Sequence, residues 1–286
     1  MSGLVSCAVG VPNVGPFGDP LLLAELAVAA EDHGWDGFFV WDHQLWHDPD
    51  WAVADPVVTI SAVAARTARV RLGILVNVLA RRRVGKVARE SVTLDQLSGG
   101  RLVFGAGLGA YAAEFTAFGE SGDARERAAR LDESLHLLDA LWQGEPVTFG
   151  GEYLTARDVT MRPRPVQQPR IPVWVGGRWP NQAPFRRAAR WDGVMPTHRD
   201  YGLGETMPPG ELRAALRYTR EHRSSPGPFD VALEGRTDGA APDRGGRHVA
   251  PYRDAGLTWW IEALGWWRGT PADALARIRQ GPPVTG

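Results

Sequence analysis

Cysteine is nearly absent from this sequence of 286 residues, which contains only Cys7. A single cysteine forms no disulfide within its own chain, and it cannot build a cysteine-ligated metal centre. We expect Cys7 to pack inside the first strand. The fold therefore depends on an apolar core, for which a hydrophobic content of 44% provides enough material.

The chain also lacks an excess of charge of either sign and a long apolar run. Its 32 basic and 33 acidic residues are mixed along the sequence and leave a formal net charge of −1. Such a surface offers no sustained basic face for nucleic acid and no polybasic membrane anchor. No apolar run reaches the roughly 18 residues of a membrane-spanning helix, and residues 1–12 have no basic signal-peptide region. We expect a cytoplasmic protein with neither a nucleic-acid nor a membrane partner.

The motifs of several enzyme classes are missing as well. No serine stands in a G-x-S-x-G context, and there is no phosphate-binding P-loop. Gly105, Gly107 and Gly109 resemble half of a dinucleotide fingerprint, but the rest of that motif is absent. His43 and His47 fall in an irregular loop, where the three convergent ligands of a metal site are not expected. These observations disfavour acyl transfer, a Rossmann-type NAD site and a metal centre.

What the sequence does contain is organised around residues 86–109. Apolar residues recur there at helical spacing as far as Leu97, and Ser98-Gly99-Gly100 then ends the helix with residues that accept positive φ. Arg101 opens an apolar strand that ends in glycines at positions 105, 107 and 109. The unit is a helix followed by a strand whose carboxyl end lets a ligand approach the backbone closely.

The same alternation of strand and helix recurs along the chain. Apolar runs typical of buried strands occupy residues 4–11, 37–41, 70–78, 102–104, 171–175, 192–196, 229–234 and 257–262. Asp19-Pro20 and Asp55-Pro56 predict helix starts. Residues 144–168 form an excursion between the fourth and fifth strands, and residues 235–256 are only weakly helical, so we expect irregularity there. The pattern predicts an α/β fold, a (β/α)8 TIM barrel, as one domain over residues 1–286.

Catalytic residues of such barrels lie at the carboxyl ends of the strands. His43 follows the second strand, and the unperturbed histidine pKa near 6.5 suits proton transfer around neutrality. The alternative is that His43 only orders its loop through Asp42 or a carbonyl. Glu234 and Glu262 end neighbouring strands, where they act either as an acid and a base or as carboxylates in salt bridges at the rim.

A second glycine cluster, Gly176-Gly177-Arg178, precedes a short helix that begins near Asn181. Exposed amides, a helix start and a guanidinium together favour phosphate, although an ordinary turn with a solvated arginine is the alternative. Twelve tryptophans either line a mouth for a planar ligand or fill the barrel. Because no covalent machinery stands at the strand ends, these features indicate a bound organic redox cofactor.

Several segments, in order along nearly the whole chain, resemble the bacterial luciferase-like flavin or deazaflavin F420-dependent oxidoreductases. They are GWDGFFVWDH (34–43), VRLGILV (70–76), KVARESVTLDQLSGGRLVFGAGLG (86–109), EFTAFGE (114–120), RPRPVQQPRIPVWVGG (162–177) and RRAARWDG (186–193). The resemblance implies a barrel, usually dimeric, with FMN or F420 across its carboxyl mouth. It also implies that His43 matches a pocket histidine that serves the F420-dependent members as a catalytic acid or base.

The resemblance further implies a cofactor site. Leu75-Val76 matches a strand bulge, often with a non-prolyl cis peptide, that lies behind the flavin or deazaflavin ring. Asn77 stands where many relatives have Thr or Ser and is expected to hydrogen-bond the ring edge. With His43 and Glu262 as the expected catalytic residues, the complete expected cofactor set is Asp42, Leu75, Val76, Asn77, Gly107, Gly109, Gly176, Gly177, Arg178 and Glu234.

Two departures from the family pattern refine this expectation. Ala110 stands where the sugar-phosphate dehydrogenases of the family carry a catalytic Glu, so that activity is not expected. Leu108 replaces an arginine that holds the FMN phosphate in luciferase, and we expect Arg178 to take over its role.

Three functions remain open at this point. The first is a monooxygenase that acts on a small organic substrate with FMN supplied by a separate flavin reductase, or with F420 supplied by an F420 reductase. The second is an F420-dependent dehydrogenase or reductase that transfers a hydride without oxygen chemistry. The third is a flavin-binding barrel without catalysis. A homodimer is expected in each case from the resemblance alone.

Overall fold

The computed structural model describes residues 4–200 and 202–284. Over these residues the β-strands are β1 Ser6–Val11, β2 Gly37–Val40, β3 Arg71–Val78, β4 Leu102–Gly107, β5 Val147–Gly150, β6 Thr155–Val159, β7 Val173–Trp179, β8 Gly193–His198, β9 Asp230–Gly235 and β10 Trp259–Ala263. The α-helices are α1 Pro20–Asp32, α2 Pro56–Arg66, α3 Val84–Leu97, α4 Ala113–Thr116, α5 Ala124–Trp142, α6 Gln182–Ala188, α7 Pro209–Glu221, α8 Pro242–Ala255 and α9 Pro271–Arg279. Within the described ranges, no helix is both long and apolar enough to cross a bilayer.

The strands form a closed parallel barrel in the order β1-β2-β3-β4-β7-β8-β9-β10, and β10 pairs with β1 to close it. Helices connect consecutive barrel strands, as parallel pairing requires. The remaining strands, β5 and β6, form an antiparallel hairpin between β4 and β7. The predicted (β/α)8 barrel and its excursion between the fourth and fifth barrel strands are therefore confirmed.

Helix starts follow the sequence signals closely. The Asp19 carboxylate accepts a hydrogen bond from the Leu21 amide at 2.8 Å, and Asp55 accepts one from the Val58 amide at 2.9 Å. Pro20 is the first residue of α1 and needs no amide partner there. Each Asp-Pro pair thus caps its helix and fixes where the chain turns back toward the barrel.

The apolar core has an inner and an outer layer. The inner layer fills the barrel with buried side chains from all eight barrel strands: Ala8, Phe39, Leu75, Val103, Trp174, Met195, Ala232 and Ile261. The outer layer lies between the strands and the helices, and it includes Cys7, which is buried in β1 as expected. Because the barrel is filled at this depth, a ligand can enter only at its ends.

Residues 235–256 are more regular than the sequence indicates, because α8 is a continuous helix of 14 residues. Its glycines lower the helical propensity, but Gly246 is required by packing. A Cβ atom at Gly246 would lie 1.9 Å from the carbonyl oxygen of Val284. The close approach of the C-terminal segment therefore explains a residue that reads as a helix breaker in isolation.

Candidate active site at the carboxyl mouth of the barrel

An apolar cleft of about 310 Å³ opens at the carboxyl ends of β3, β4, β7 and β8. Its lining residues are Leu75, Val76, Gly107, Leu108, Gly109, Ala110, Gly176, Gly177, Arg178, Asn181, Pro184, Met195 and Thr197. A larger open groove of about 680 Å³ lies beside the first turn of α3, between Arg82 and Glu90. The smaller cleft is the candidate site because residues of four barrel strands line it at the carboxyl mouth, where active sites of this fold lie, whereas no strand residue lines the groove.

The floor of the cleft is formed by Leu75 and Val76. The peptide bond between them is cis, and the register between β3 and β4 shifts between Ile74 and Asn77. Both side chains pack on the inner layer of the barrel. The expected bulge with a non-prolyl cis peptide is therefore present, and it presents two consecutive apolar side chains to the mouth.

Glycines bring the neighbouring strands close to this floor. A Cβ atom at Gly107 would lie 2.2 Å from Val76 Cγ2, and one at Gly176 would lie 3.0 Å from Val76 Cγ1. Gly109 has a φ of +81°, a conformation that other residues rarely adopt. Larger residues at these positions would displace Val76 or fill the cleft.

Arg178 forms part of the cleft rim together with Asn181 and Thr197. Its side chain is exposed, and Nη2 donates a long hydrogen bond of 3.4 Å to the carbonyl of Arg199. The helix expected to begin near Asn181 is α6, which has only seven residues. A phosphate at this rim would therefore depend on the guanidinium and the backbone amides more than on a helix dipole.

His43 is held by a buried carboxylate that sequence reasoning missed. His43 Nδ1 lies 3.3 Å from Glu114 Oε1, which also accepts the Gln44 amide at 2.6 Å. Arg81 Nη1 lies 2.9 Å from Glu114 Oε2. Burial alone would raise the pKa of Glu114, but its hydrogen bond with His43 and the positive charge of Arg81 lower the pKa below its usual range. The ionised carboxylate accepts a hydrogen bond from Nδ1–H of His43, which leaves Nε2 as the ring nitrogen able to take a proton.

Glu234 lies on the other half of the mouth. Its Oε1 lies 3.5 Å from Trp41 Nε1 and would lie 3.5 Å from a Cβ atom at Gly10. Since Gly10 is in β1 and Trp41 follows β2, the carboxyl group reaches into the barrel interior. Burial raises the pKa of Glu234, and the hydrogen bond from Trp41 offsets this only in part.

Aromatic side chains surround His43, and one of them, Trp41, also contacts Glu234. We call this set the aromatic wall: Trp41, Trp46, Trp51, Tyr111, Trp266 and Trp267. Trp41 stacks on Trp267 with ring centroids 5.4 Å apart and planes 9° apart. The His43 ring lies 4.9 Å from Trp46 and 5.3 Å from Tyr111. Because Tyr111 follows Ala110 at the cleft rim, the wall continues directly from the cleft.

Comparison with known proteins places this geometry in a family. Residues 14–237 match the family described as luciferase-like monooxygenase. The chain belongs to this family. An F420-dependent glucose-6-phosphate dehydrogenase of Nakamurella multipartita is 41% identical over 202 residues, which are 69% of this chain and 57% of that protein. The matched region thus spans little more than half of that relative.

Two solved structures show the same fold. An F420-dependent secondary alcohol dehydrogenase in complex with an F420-acetone adduct gives a TM-score of 0.81 at 16% identity, covering 99% of this chain and 100% of that chain. The oxygenating constituent of 3,6-diketocamphane monooxygenase from Pseudomonas putida, in complex with FMN, gives 0.75 at 15% identity, covering 99% and 98%. At this level of identity the likeness supports the luciferase-like barrel alone.

The cofactor contact expected for Asp42 must be corrected. Its side chain is fully buried, and its carboxylate accepts hydrogen bonds from the Val78 amide at 2.9 Å, Arg81 at 2.8 Å and Arg82 at 2.9 Å. Burial raises its pKa, but the adjacent Arg82 and Arg81 outweigh this and lower the pKa overall. Asp42 ties the loop after β2 to the end of β3, and no oxygen remains for a ligand.

The cofactor contact expected for Asn77 must also be corrected. The expected contact with the ring edge requires an inward side chain, but Asn77 lies with Ile74 and Leu94 between the barrel and the helices. Its amide nitrogen donates to the carbonyl of Gly105 at 2.8 Å. Both Leu75 and Val76 face inward, so the alternation resumes with Asn77 pointing outward.

The catalytic role expected for Glu262 must be corrected as well. It is fully buried and faces outward toward α9, with ion pairs to Arg268 at 2.5 Å and Arg277 at 3.5 Å. Thr237 donates to it from its amide at 3.0 Å and from its hydroxyl at 2.6 Å. The acid-base pairing of Glu234 with Glu262 is wrong because the two residues point to opposite faces of the sheet, whereas the alternative of a salt-bridged carboxylate holds for Glu262. Glu262 stabilises the outer layer.

The remaining expected residues lie at the mouth. Leu75, Val76, Gly107, Gly109, Gly176, Gly177 and Arg178 all line the cleft, and His43 lies in the adjoining loop. Glu234 lies across the mouth and outside the cleft lining. The described residues include no group of three or more His, Cys, Asp or Glu side chains arranged to hold a metal ion.

Proposed function

We propose that this protein is an F420-dependent oxidoreductase that transfers a hydride to or from a small organic substrate. The observation that carries the proposal is the apolar floor of Leu75 and Val76, open to the mouth and adjoining a loop with an oriented histidine. The names of the relatives support it, since the Nakamurella protein is an F420-dependent dehydrogenase.

The cleft fits a deazaflavin. A planar ring needs a flat apolar floor, which Leu75 and Val76 form, and it needs backbone without side chains around it, which the four lining glycines supply. The polar rim of Arg178, Asn181 and Thr197 suits the phosphate end of such a cofactor. When bound, the deazaflavin supplies the ring carbon that accepts or gives the hydride.

The role of His43 in this proposal is to move a proton. When an alcohol is oxidised, its carbon loses a hydride and its hydroxyl loses a proton, which Nε2 of His43 accepts. Glu114 stabilises the imidazolium that forms, because its carboxylate already binds Nδ1. In the reverse direction the same nitrogen returns the proton to the carbonyl oxygen.

The alternative is an FMN-dependent monooxygenase, which would need a separate reductase as its partner. The family description and the FMN-bound diketocamphane enzyme favour this alternative. It predicts oxygen consumption with reduced FMN, whereas F420-dependent hydride transfer proceeds without oxygen. A barrel that binds the cofactor without turnover predicts neither.

The experiment is an anaerobic assay with oxidised F420 and a panel of alcohols and aldoses. Turnover is measured as the loss of deazaflavin absorbance. We expect turnover in the wild type and a loss of at least about 100-fold in His43→Gln, with F420 affinity unchanged. Oxygen-dependent turnover with reduced FMN and none with F420 would establish the alternative. Binding of F420 without turnover of any substrate would favour the non-catalytic barrel.

A further inference from the structure

We propose that the carboxyl group of Glu234 hydrogen-bonds the substrate, and that the substrate is an uncharged alcohol or ketone with an apolar body. This inference rests on the proposed function and names the substrate class of the same site. It also assigns Glu234 a role in specificity, in place of the cofactor contact expected from the sequence.

The position of Glu234 supports contact with substrate. In β9, Ala232 packs in the inner layer of the barrel and Leu233 packs in the outer layer, so Glu234 faces inward by alternation. Its carboxyl group lies against Trp41 and over Gly10. These residues belong to the half of the mouth opposite the apolar cleft. A substrate in contact with a ring on Val76 would therefore lie between that ring and Glu234.

The surroundings of Glu234 provide no counter-charge. Charged or titratable groups occur on the elements around it: Asp42 and His43 after β2, His198 in β8, Arg236 after β9, Glu262 in β10 and Arg268 beyond it. Among the described residues none of these forms an ion pair with Glu234, and its one hydrogen bond is the long contact of 3.5 Å from Trp41. Burial without a cation raises the pKa of Glu234, so the neutral acid is favoured and carries a proton to donate.

The aromatic wall provides the apolar surface for such a substrate. Its rings pack edge-to-face and stacked around Trp266, which lies 5.2 Å from Trp46 and 4.9 Å from Trp267. The indole nitrogens of Trp46 and Trp267 are buried and have no hydrogen-bond acceptor among the described residues. A substrate oxygen would satisfy these donors.

The charges at the mouth disfavour a phosphorylated substrate. Arg81 and Arg82 are paired with Asp42 and Glu114, and Arg268 is paired with Glu262. Arg178 belongs to the cleft on the other half of the mouth. Arg236 is exposed and donates to the carbonyl of Leu203 at 3.2 Å. A dianionic phosphate on the aromatic wall would thus meet apolar rings, so an uncharged molecule fits better than the sugar phosphate named for the relatives.

The test is a calorimetric titration of the wild type, Glu234→Gln and Glu234→Ala with 1-phenylethanol, cyclohexanone and glucose 6-phosphate, at pH 6 and pH 9. In the wild type we expect the alcohol and the ketone to bind roughly fivefold to tenfold more weakly once the carboxyl group has lost its proton. Glutamine keeps a donor without titrating, so E234Q should bind alike at both pH values, and E234A should bind weakly at both. Glucose 6-phosphate should not bind.

The proposal is overturned if E234Q and E234A weaken binding equally, if the pH dependence persists in E234Q, if the uncharged probes do not bind, or if glucose 6-phosphate binds more tightly than they do. F420 affinity, measured separately by fluorescence, should be the same in all three proteins. Failure of F420 to bind the wild type would refute the proposed function, whereas the probe titrations would still report on Glu234.

Thermal stability gives a second readout that needs no ligand. With a raised pKa, folded Glu234 binds more protons than the unfolded chain does, so wild-type stability falls as pH rises through the folded pKa. We expect the melting temperature of E234Q, relative to that of the wild type, to be higher at pH 8 than at pH 4. An equal difference at both pH values would mean that Glu234 is not an uncompensated carboxyl group.

Discussion

Arg81 joins two buried carboxylates at the mouth and so fixes the loop that carries His43. Its guanidinium lies 2.8 Å from Asp42 and 2.9 Å from Glu114, and its side chain is 1% exposed. Three charges removed from water remain favourable only while all of them are paired. The orientation of His43 is therefore linked to the stability of this network.

We predict that Glu114→Gln lowers turnover by at least about tenfold, because an amide does not stabilise the imidazolium that His43 forms. It should also destabilise the fold by roughly 2 to 3 kcal/mol at neutral pH, since Arg81 loses a buried partner. The measurements are steady-state kinetics with F420 and urea unfolding. The matched control is Glu120→Gln, an exposed residue of the same loop.

The pH dependence of the E114Q effect has a definite sign. The folded pKa of Glu114 is lowered, so its contribution to stability is present above the unfolded pKa and is lost as pH falls through the folded value. The stability difference between the wild type and E114Q should shrink as the pH falls from 7 to 3. A difference that grows on acidification would contradict the assignment.

Single residues were predictable from the sequence where chemistry and position coincide. His43 and Arg178 lie at the mouth because each follows or ends a recognisable strand, whereas the Leu75-Val76 floor was expected only from the family resemblance. Glu114 and Arg81 were missed, since they lie in loops and their function arises from contacts more than 30 residues apart in the chain. Asp42 has the right position but is fully engaged by arginines, which only the three-dimensional contacts reveal.

The contact between β3 and β4 is the structural element that shapes the cleft. Gly107 in β4 lies against Val76, and Gly105 lies so close to β3 that a Cβ atom would be 2.3 Å from the Ile74 carbonyl oxygen. Glycines here permit the bulge in β3 to lie flat against its neighbour. The floor therefore depends on both strands.

We predict that Gly107→Ala weakens F420 binding by about tenfold or more and destabilises the protein by roughly 1 to 3 kcal/mol, because the new methyl group displaces Val76. The measurements are fluorescence titration and thermal unfolding. Gly85→Ala is the control, since a Cβ atom at this helical position meets no atom within 4 Å. Unchanged affinity in G107A would show that Val76 is not the floor of the binding site.

Arg101 joins α2, β3 and the end of α3 at the opposite end of the barrel. Its guanidinium donates to the carbonyls of Ala64, Thr67, Val70 and Ser98 and to the Thr67 hydroxyl, at 2.7 to 3.0 Å. We predict that Arg101→Lys costs roughly 2 to 3 kcal/mol of unfolding free energy, because an ammonium group satisfies fewer of these acceptors. Arg66→Lys, at an exposed position of α2, should change stability by less than about 0.5 kcal/mol in the same urea titration. Equal effects would contradict the role of Arg101.

Elements were predictable where patterns are strong, as in the buried apolar strands and the Asp-Pro helix starts. Helix α8 was harder to predict from the sequence. Gly246 is needed there because it packs against the carbonyl of Val284, which is a tertiary contact. The outward direction of Asn77 also escaped prediction, since the local alternation of β3 is broken between Ile74 and Asn77. Glu262 was misassigned because a strand end does not by itself tell which face a side chain takes.

At the scale of the whole molecule, the mouth of the barrel consists of two halves. The half formed by β3, β4, β7 and β8 holds the apolar cleft, and the half formed by β9, β10, β1 and β2 holds Glu234 and the aromatic wall. The barrel itself follows from the alternation of strands and helices. The division does not, because it depends on which strands are neighbours in space.

The homodimer expected from the family resemblance remains a prediction. Light scattering coupled to size exclusion should give about twice the chain mass of 31.2 kDa. A mass of one chain at micromolar concentration would contradict it. The site described above is formed within one chain, so a monomer would leave the proposed chemistry unaffected.

The central claim is that the glycine-lined cleft binds a deazaflavin. The most direct measurement is a fluorescence titration of the purified protein with F420 and, separately, with FMN, repeated with Arg178→Gln. We predict that F420 binds at least about tenfold more tightly than FMN and that the R178Q change weakens it. Tighter binding of FMN, or no binding of either cofactor, would contradict the account.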